Sequence, residues 1–450
     1  MKENRIITRT ESLCPVCLRK TKAFIVTDDA DCYLQKTCPE HGDFSTVIWR
    51  GSTPIQNWMR YREGAHLEKT VTKVQKGCPY DCGLCEEHRQ HTCTALLEVT
   101  QRCNLHCKFC FADSGASKNT DLPLEQIKTM YEAILNVSGT CNIQLSGGEP
   151  TVRDDLPTIV KLGKDLGFPF IQMNTNGIRL AQDEEFVQAL KRAGLDSVYL
   201  QFDGTKDNIY RKLRGRELLA LKEKAIGNCE KYCIGVVLVP TLVPGVNVDN
   251  IGAIIRFALD HIRAVRGVHF QPVSYFGRMP HAPADGDRVT LPEVMDELER
   301  QTGGKVKAAD LKPAACENAL CSFHGNFVYR SDGNLVPTAP KTSCCCKSAT
   351  AEEGAKKAVE FVAGNWSSRQ SIQQNAEPPL SDWDKIINRI RSGSFSISAM
   401  AFQDAWNVDL DRIRDCCIHV VTPQGKLIPF CMYNLTDTQG KSLYRDRGEA

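Results

Sequence analysis

The chain has 450 residues, of which 42% are hydrophobic and 24% charged, so it can bury a sizeable core and is not disordered as a whole. With 56 Lys and Arg against 54 Asp and Glu, the formal net charge of +2 supplies no global field to gather nucleic acid or anionic lipid. The outlying number is 22 cysteines, which in a long chain of ordinary core composition points to metal-ligating thiolates in a reducing cytoplasm, not to a disulfide scaffold.

Met1 to Ser12 is polar and lacks a signal-peptide pattern, and no run approaches the ~18 apolar residues of a membrane span. Cys14-Pro-Val-Cys17 is a C-x2-C knuckle, and Cys32 and Cys38 can complete four thiolates for one zinc or iron ion, with His41 as a substitute ligand. A module over residues 1–50 has little core of its own, so this ion is expected to be structural. Residues 51–93 carry Cys78-Pro-Tyr-Asp-Cys82-Gly-Leu-Cys85, with Cys93 as a fourth thiol. A closed auxiliary iron–sulfur cluster is expected there, structural zinc being the alternative. Cys103-Asn-Leu-His-Cys107-Lys-Phe-Cys110 repeats the C-x3-C-x2-C spacing 25 residues later. Three thiolates on one short loop can hold three irons of a four-iron cluster and leave the fourth open.

Residues 94–310 alternate apolar runs with helical patterns, the signature of βα units and a parallel sheet. The expected strands are Thr94–Thr100, Thr140–Ser146, Pro169–Asn174, Ser197–Phe202, Ile234–Val239 and Gly267–Pro272. Between them Leu124–Leu135, Leu156–Leu166, Glu184–Ala193, Leu218–Asn228 and Asn250–His261 read as helices. Six such strands fit an α/β partial barrel with its site at the strand C-terminal ends.

At the second triplet the sequence resembles the radical S-adenosylmethionine (SAM) superfamily. The loop follows an apolar strand and has Phe109 before its last cysteine, which favours it over the Cys78 triplet as the SAM cluster. The resemblance implies that the open iron chelates SAM and that the reduced cluster cleaves it to a 5′-deoxyadenosyl radical. Gly147-Gly148-Glu149-Pro150 is similar to the element that contacts the SAM amino group, the glycines admitting a ligand and the carboxylate holding its ammonium. Asn174, Thr175 and Asn176 close the third strand, and Gln201 and Asp203 the fourth, as polar groups for SAM or substrate. Val236 to Pro244 is apolar enough to wall the adenine, and Arg214-Gly215 resembles a loop that recurs near SAM.

Over residues 10–310 the order of modules resembles the subgroup with tetraether lipid synthases and class D methylases, which join carbons or methylate an unactivated carbon, the methylases drawing on a folate-type carrier. Residues 311–450 form a Cys-rich tail resembling a bacterial radical SAM branch in which selenocysteine sometimes replaces Cys. Within it Cys316, Cys321, one of Cys344 to Cys346, and Cys416 or Cys431 are expected to form a further cluster. Trp383, Ile386, Ile387 and Ile390 read as a core-facing helical stripe. The expectation is a radical SAM enzyme that methylates or couples carbon, with a small-molecule or lipid substrate and a reducing electron donor. Maturation of a peptide or partner protein is the enzymatic rival, and a zinc scaffold for nucleic acid the non-enzymatic one.

Overall fold

The structure, a computed structural model, describes residues 5–28, 31–60, 63–115, 121–338, 350–368 and 393–445. Cys344 to Cys346 and the Trp383–Ile390 stripe lie outside the described residues. Four strands come first, β1 (Arg5–Leu13), β2 (Lys20–Thr27), β3 (Cys32–Cys38) and β4 (Gly42–Trp49), an antiparallel meander in sequence order. A one-turn helix, α1 (Ile55–Trp58), follows.

The larger sheet starts at β5 (Thr94–Thr100), and β6 (Asn142–Gly147), β7 (Ile171–Thr175), β8 (Ser197–Gln201) and β9 (Gly235–Val239) each pair in parallel with the strand before. The two-residue β10 (Thr241–Leu242) pairs with β11 (Val265–Pro272), which lies beside β9. The crossovers carry α2 (Leu124–Ser138), α3 (Leu156–Asp165), α4 (Ile178–Gln182), α5 (Glu184–Ala193), α6 (Asp207–Arg214), α7 (Leu219–Lys231) and α8 (Ile251–Asp260). Every expected strand and helix of this region is present, with ends within a turn of the sequence reading. Helix α5 shows the local cause: Asp183 caps it by accepting from Phe186 N, Gly194 at φ 101° ends it, and Phe186, Val187 and Leu190 make its buried face.

The tail is stitched into the same sheet. After α9 (Leu291–Gln301) come β12 (Lys312–Pro313), β13 (Ser322–Tyr329), β14 (Leu335–Pro337), α10 (Ala351–Trp366), β15 (Ser394–Met400), α11 (Leu410–Arg414), β16 (Ile418–Val421), β17 (Leu427–Pro429) and α12 (Phe430–Asn434). Strand β15 adds in parallel to β11 and β16 in parallel to β5, giving the order β12-β13-β15-β11-β9-β8-β7-β6-β5-β16-β17. Both edges of the six-stranded sheet are thereby covered, which satisfies backbone groups that an open edge would leave free. The N-terminal module docks on the tail, where buried Lys36 donates to Ala405 O at 2.7 Å and Ser12 Oγ at 3.0 Å.

Candidate active site

The barrel encloses a cavity of about 540 Å³. Cys103, Cys107 and Cys110 line it, as do Phe109 and, across from the loop, Gly147, Gly148 and Glu149. Asn174, Asn176 and Gln201 face the same space, and Val239 contributes to the apolar wall. The cysteine loop is held from behind: Cys110 N donates to Arg278 O at 3.0 Å, Arg278 Nε to Cys107 O at 2.8 Å, and Phe109 packs edge-on against Tyr275.

These residues fit the four-iron cluster that the sequence resemblance implies. Burial pushes the Cys103 thiol up to about 12, a cost that bonding to metal in place of the proton removes. Among the described residues the other thiols lining the cavity, Cys93, Cys316 and Cys417, are gathered on one another and not on this loop. Cys103, Cys107 and Cys110 would hold such a cluster with no fourth described thiol beside them, and Glu149 lines the same cavity.

Glu149 is almost fully buried and its carboxylate is fixed by four donors. Oε1 accepts from Thr151 N at 3.2 Å, Thr151 Oγ1 at 2.7 Å and Thr175 Oγ1 at 2.6 Å, and Oε2 from Asn176 N at 2.7 Å. Asn176 also donates from Nδ2 to Asn104 Oδ1 at 2.7 Å, tying the end of β7 to the cysteine loop. The glycines serve a purpose the sequence reading did not foresee. A Cβ at Gly147 would stand 2.2 Å from Thr100 O and one at Gly148 2.1 Å from Arg102 O, so they let the turn lie flat on the backbone leading into the cysteine loop. Pro150 opens the short 3-10 turn that Glu149 caps and is not among the cavity-lining residues.

Asp203 differs from expectation. It has no exposed surface and chelates Arg214 through two 2.7 Å hydrogen bonds, so its oxygens are spent on a guanidinium and not on a ligand. Arg214 lines the cavity instead, close to Cys107, and also donates to Thr241 Oγ1 at 3.2 Å. Lys222, fully buried behind the site, donates to Asn176 O.

The remaining cysteines sort differently from their spacing. In the N-terminal module Cys14, Cys17, Cys38 and His41 converge, with Cys17 Sγ to Cys38 Sγ 3.9 Å and His41 Nδ1 3.7 Å from Cys14 Sγ and 3.5 Å from Cys38 Sγ. A tetrahedral zinc with ordinary bond lengths needs edges of roughly 3.8 Å between sulfurs and roughly 3.5 Å from sulfur to nitrogen, so this donor set fits zinc. Cys32 is excluded because β3 runs unbroken from Cys32 to Cys38, which sets the two ends about 20 Å apart and leaves Cys32 in the core beside Trp49. Nor does Cys93 join Cys78, Cys82 and Cys85. It stands at the start of β5, where its backbone N donates to Cys417 O at 2.9 Å and its sulfur is 3.4 Å from Cys316 Sγ. The Cys78 triplet is covered instead by Tyr444, whose hydroxyl accepts from Cys82 N at 2.8 Å. The expected tail cluster divides in two: Cys316 goes with Cys93 and Cys417, while Cys321, held 3.4 Å from the Arg412 guanidinium, shares its surroundings with Cys416 and Cys431. Cys417 and Glu317 were not singled out from the sequence as site residues, whereas Arg214, read there as part of a loop near SAM, does reach the cavity. The adjacent Cys416-Cys417 pair was the available signal, since neighbouring side chains of an extended segment point to opposite sides.

Residues 97–258 match the radical SAM superfamily domain, and residues 6–50 match the HMPTM N-terminal zinc ribbon domain. The 7,8-dihydro-6-hydroxymethylpterin dimethyltransferase of Methanocaldococcus jannaschii is 37% identical over 476 aligned positions, 96% of this chain and 94% of that protein. The probable GTP 3′,8-cyclase of Methanothermobacter thermautotrophicus is 34% identical over 134 residues, 30% of this chain and 43% of that protein. Among solved structures, SuiB of Streptococcus suis bound to S-adenosylmethionine is 13% identical with a TM-score of 0.38, over 48% of this chain and 47% of that chain. No helix of the described residues is long and apolar enough to cross a membrane.

Proposed function

Since the chain belongs to the radical SAM superfamily, in the family of the pterin dimethyltransferase it matches over nearly its whole length, we propose that it methylates an unactivated carbon of a reduced pterin or close heterocyclic relative. It is an enzyme of the radical SAM methylase type, and its cofactors are SAM and a [4Fe–4S] cluster. When bound, that cluster supplies the electron that breaks the sulfonium bond. Cys103, Cys107 and Cys110 would hold it. Glu149, its carboxylate already oriented by four donors, would take the SAM ammonium with little reorganisation. Arg214, fixed by Asp203, places a permanent cation beside Cys107.

The observation that carries the substrate reading is the near full-length identity, and the cavity supports it. Gln144, Gln172, Asn174 and Gln271 line it, and a pterin's lactam and amino edge offers donor–acceptor pairs of the kind such amides recognise. The cysteine count agrees with a reducing, cytoplasmic setting and a reducing electron donor.

The test is anaerobically reconstituted full chain with dithionite, SAM, a methylene-folate carrier and 7,8-dihydro-6-hydroxymethylpterin. The expected products are 5′-deoxyadenosine and a pterin carrying one or two added methyl groups. Release of 5′-deoxyadenosine with no methylated product from any reduced pterin would overturn the substrate assignment. Glu149→Gln is expected to weaken SAM binding about 10- to 100-fold, as loss of a charge-assisted contact does, with iron content unchanged.

A further inference from the structure

We propose that the floor of the cavity, where Tyr199 and His269 meet Trp366, seats the flat ring of the methyl-accepting substrate, with Tyr199 Oη and His269 Nε2 reading an uncharged lactam-type edge. The inference rests on the reduced-pterin reading above and adds to it the place and the residues that recognise the ring. The floor is made by α10, which closes the end of the barrel remote from the SAM loop. Val359 O accepts from Asn142 Nδ2 at 3.4 Å at the start of β6, and Asn365 O accepts from Arg266 Nε at 2.9 Å near the start of β11. A Cβ at Gly235, which opens β9, would stand 2.0 Å from Trp366 O, so the helix end lies flush on the strand. Trp366 Nε1 donates to Ser396 Oγ at 3.1 Å. Its ring lies edge-on to Tyr199 at 5.2 Å and to His269 at 6.5 Å, and those two are 5.6 Å apart. All three line the cavity.

Core packing explains only part of this floor. Barrels of parallel strands fill their interiors mainly with branched aliphatic side chains, whereas the cavity here is lined by Asn142, Gln172, Tyr199, His269, Ser396 and Ser398. Some of these polar groups satisfy one another, with His269 Nδ1 2.8 Å from Ser398 Oγ and Gln172 Nε2 donating to Ser197 Oγ at 3.3 Å. Others are left over. Among the described residues Asn142 Oδ1, on a residue 2% exposed, has no hydrogen-bond partner, and neither Tyr199 Oη nor His269 Nε2 meets one. Buried polar atoms without partners cost stability, which the donors and acceptors of a bound ligand offset.

Charge selects the class of ligand. Burial keeps Tyr199 protonated, well above the usual phenol range, and lowers His269 to about 4, so both are neutral, and burial is the only influence on either. A phosphate or carboxylate would find no counter-charge at these two groups. The adjacent C=O and N–H of a fused lactam ring match a phenol donor beside an imidazole, and because Ser398 Oγ can donate to Nδ1 or accept from it, Nε2 can take either role. The aromatic cluster gives such a ring apolar surface to lie against. Tyr199 stands two residues before Gln201, the last of β8, which sets it about 7 Å below the strand ends that carry the SAM loop and leaves the space above it for SAM.

The experiment is anaerobic equilibrium dialysis of the reconstituted full chain, wild type against Tyr199→Phe and His269→Phe. The probes are 7,8-dihydro-6-hydroxymethylpterin, tetrahydrofolate for the one-carbon carrier, and guanosine, which carries the same amino and oxo edge on a purine. Each variant should bind the hydroxymethylpterin about 5- to 20-fold more weakly, as loss of one buried hydrogen bond does. SAM affinity and 5′-deoxyadenosine release without substrate should stay at wild-type levels, which also reports an intact fold, and either variant decides the matter where the other does not fold. In turnover the loss should fall on KM and not on kcat, and His269→Gln, which keeps a polar atom there, should recover part of it. Wild-type affinity in both variants for whichever ring the wild type binds would overturn this seat and leave the pterin reading standing. Loss confined to tetrahydrofolate would put the carrier's ring here and overturn the assignment to the substrate. Guanosine bound and weakened by the variants, with no reduced pterin bound, would overturn the pterin reading and keep the seat. Binding of none of the probes by the wild type would overturn both.

Discussion

Asp203 and Arg214 form the ion pair on which the cavity wall next to Cys107 depends, with side-chain exposures of 0% and 6%. Asp203→Asn leaves a buried guanidinium without its counter-charge, so about 3–5 kcal/mol of stability should be lost, read by chemical denaturation. The double variant D203N/R214M removes both charges and should regain most of that loss while SAM binding stays weakened. Recovery of stability together with wild-type SAM affinity would show that Arg214 has no part in the site. Lys222 makes a pH prediction. Burial lowers its pKa from 10.5 to about 8, so between pH 8 and 10.5 the unfolded chain holds a proton that the folded chain does not. Stability from this group therefore rises with pH across that window and is lost below it, by about 3 kcal/mol in total. Lys222→Met should flatten that slope. At this scale the sequence was legible where chemistry fixes spacing: Cys103, Cys107, Cys110 and Glu149 all reach the cavity. It was not legible for Asp203, because a carboxylate at a strand end looks the same whether it meets a ligand or a guanidinium on the helix after it.

Elements decide which candidate residues can meet. Five residues separate Cys32 from Cys38, which a helix or loop could close, but β3 is extended throughout, and only His41 on the following turn returns to the knuckle. The strand was not assigned from the sequence, which therefore placed Cys32 where the structure gathers His41 with Cys14, Cys17 and Cys38. Cys38→Ser or His41→Ala should accordingly release the N-terminal zinc, whereas Cys32→Ser should retain it, as measured by zinc per chain after chelator challenge. The glycine turn gives a paired test in the barrel. Gly148→Ala drives a Cβ against Arg102 O and must shift the cysteine loop, so iron bound there should fall. Gly227→Ala, inside α7 with no atom within 4 Å of the added carbon, should instead raise stability by about 0.5–1 kcal/mol.

Over the whole molecule, the chain's last described residues close on its centre. The six βα units were legible because their apolar periodicity is local, whereas the placement of β15 and β16 on opposite edges is a long-range pairing that no local pattern encodes. Arg445 returns to β5 and binds Glu98 through two hydrogen bonds of 2.8 and 2.5 Å, with a third to Asn434 Oδ1 at 2.6 Å, all buried. Glu98 stands five residues before Cys103, so the tail holds the strand that delivers the SAM loop. If the tail were an appended domain, removing residues from Tyr444 onward would leave the barrel untouched. The architecture predicts otherwise: the truncated chain should lose about 3–5 kcal/mol through the unpaired Glu98 carboxylate, and uncovering Cys82 should lower metal retained at the Cys78 triplet. Arg445→Met alone should reproduce the stability loss but not the metal loss, because Tyr444 is still present, and Glu98→Gln added to it should restore most of the stability. Equal metal content in the truncated and full-length chains would mean that Tyr444 shields nothing, and the tail would then act through the Glu98 pair alone.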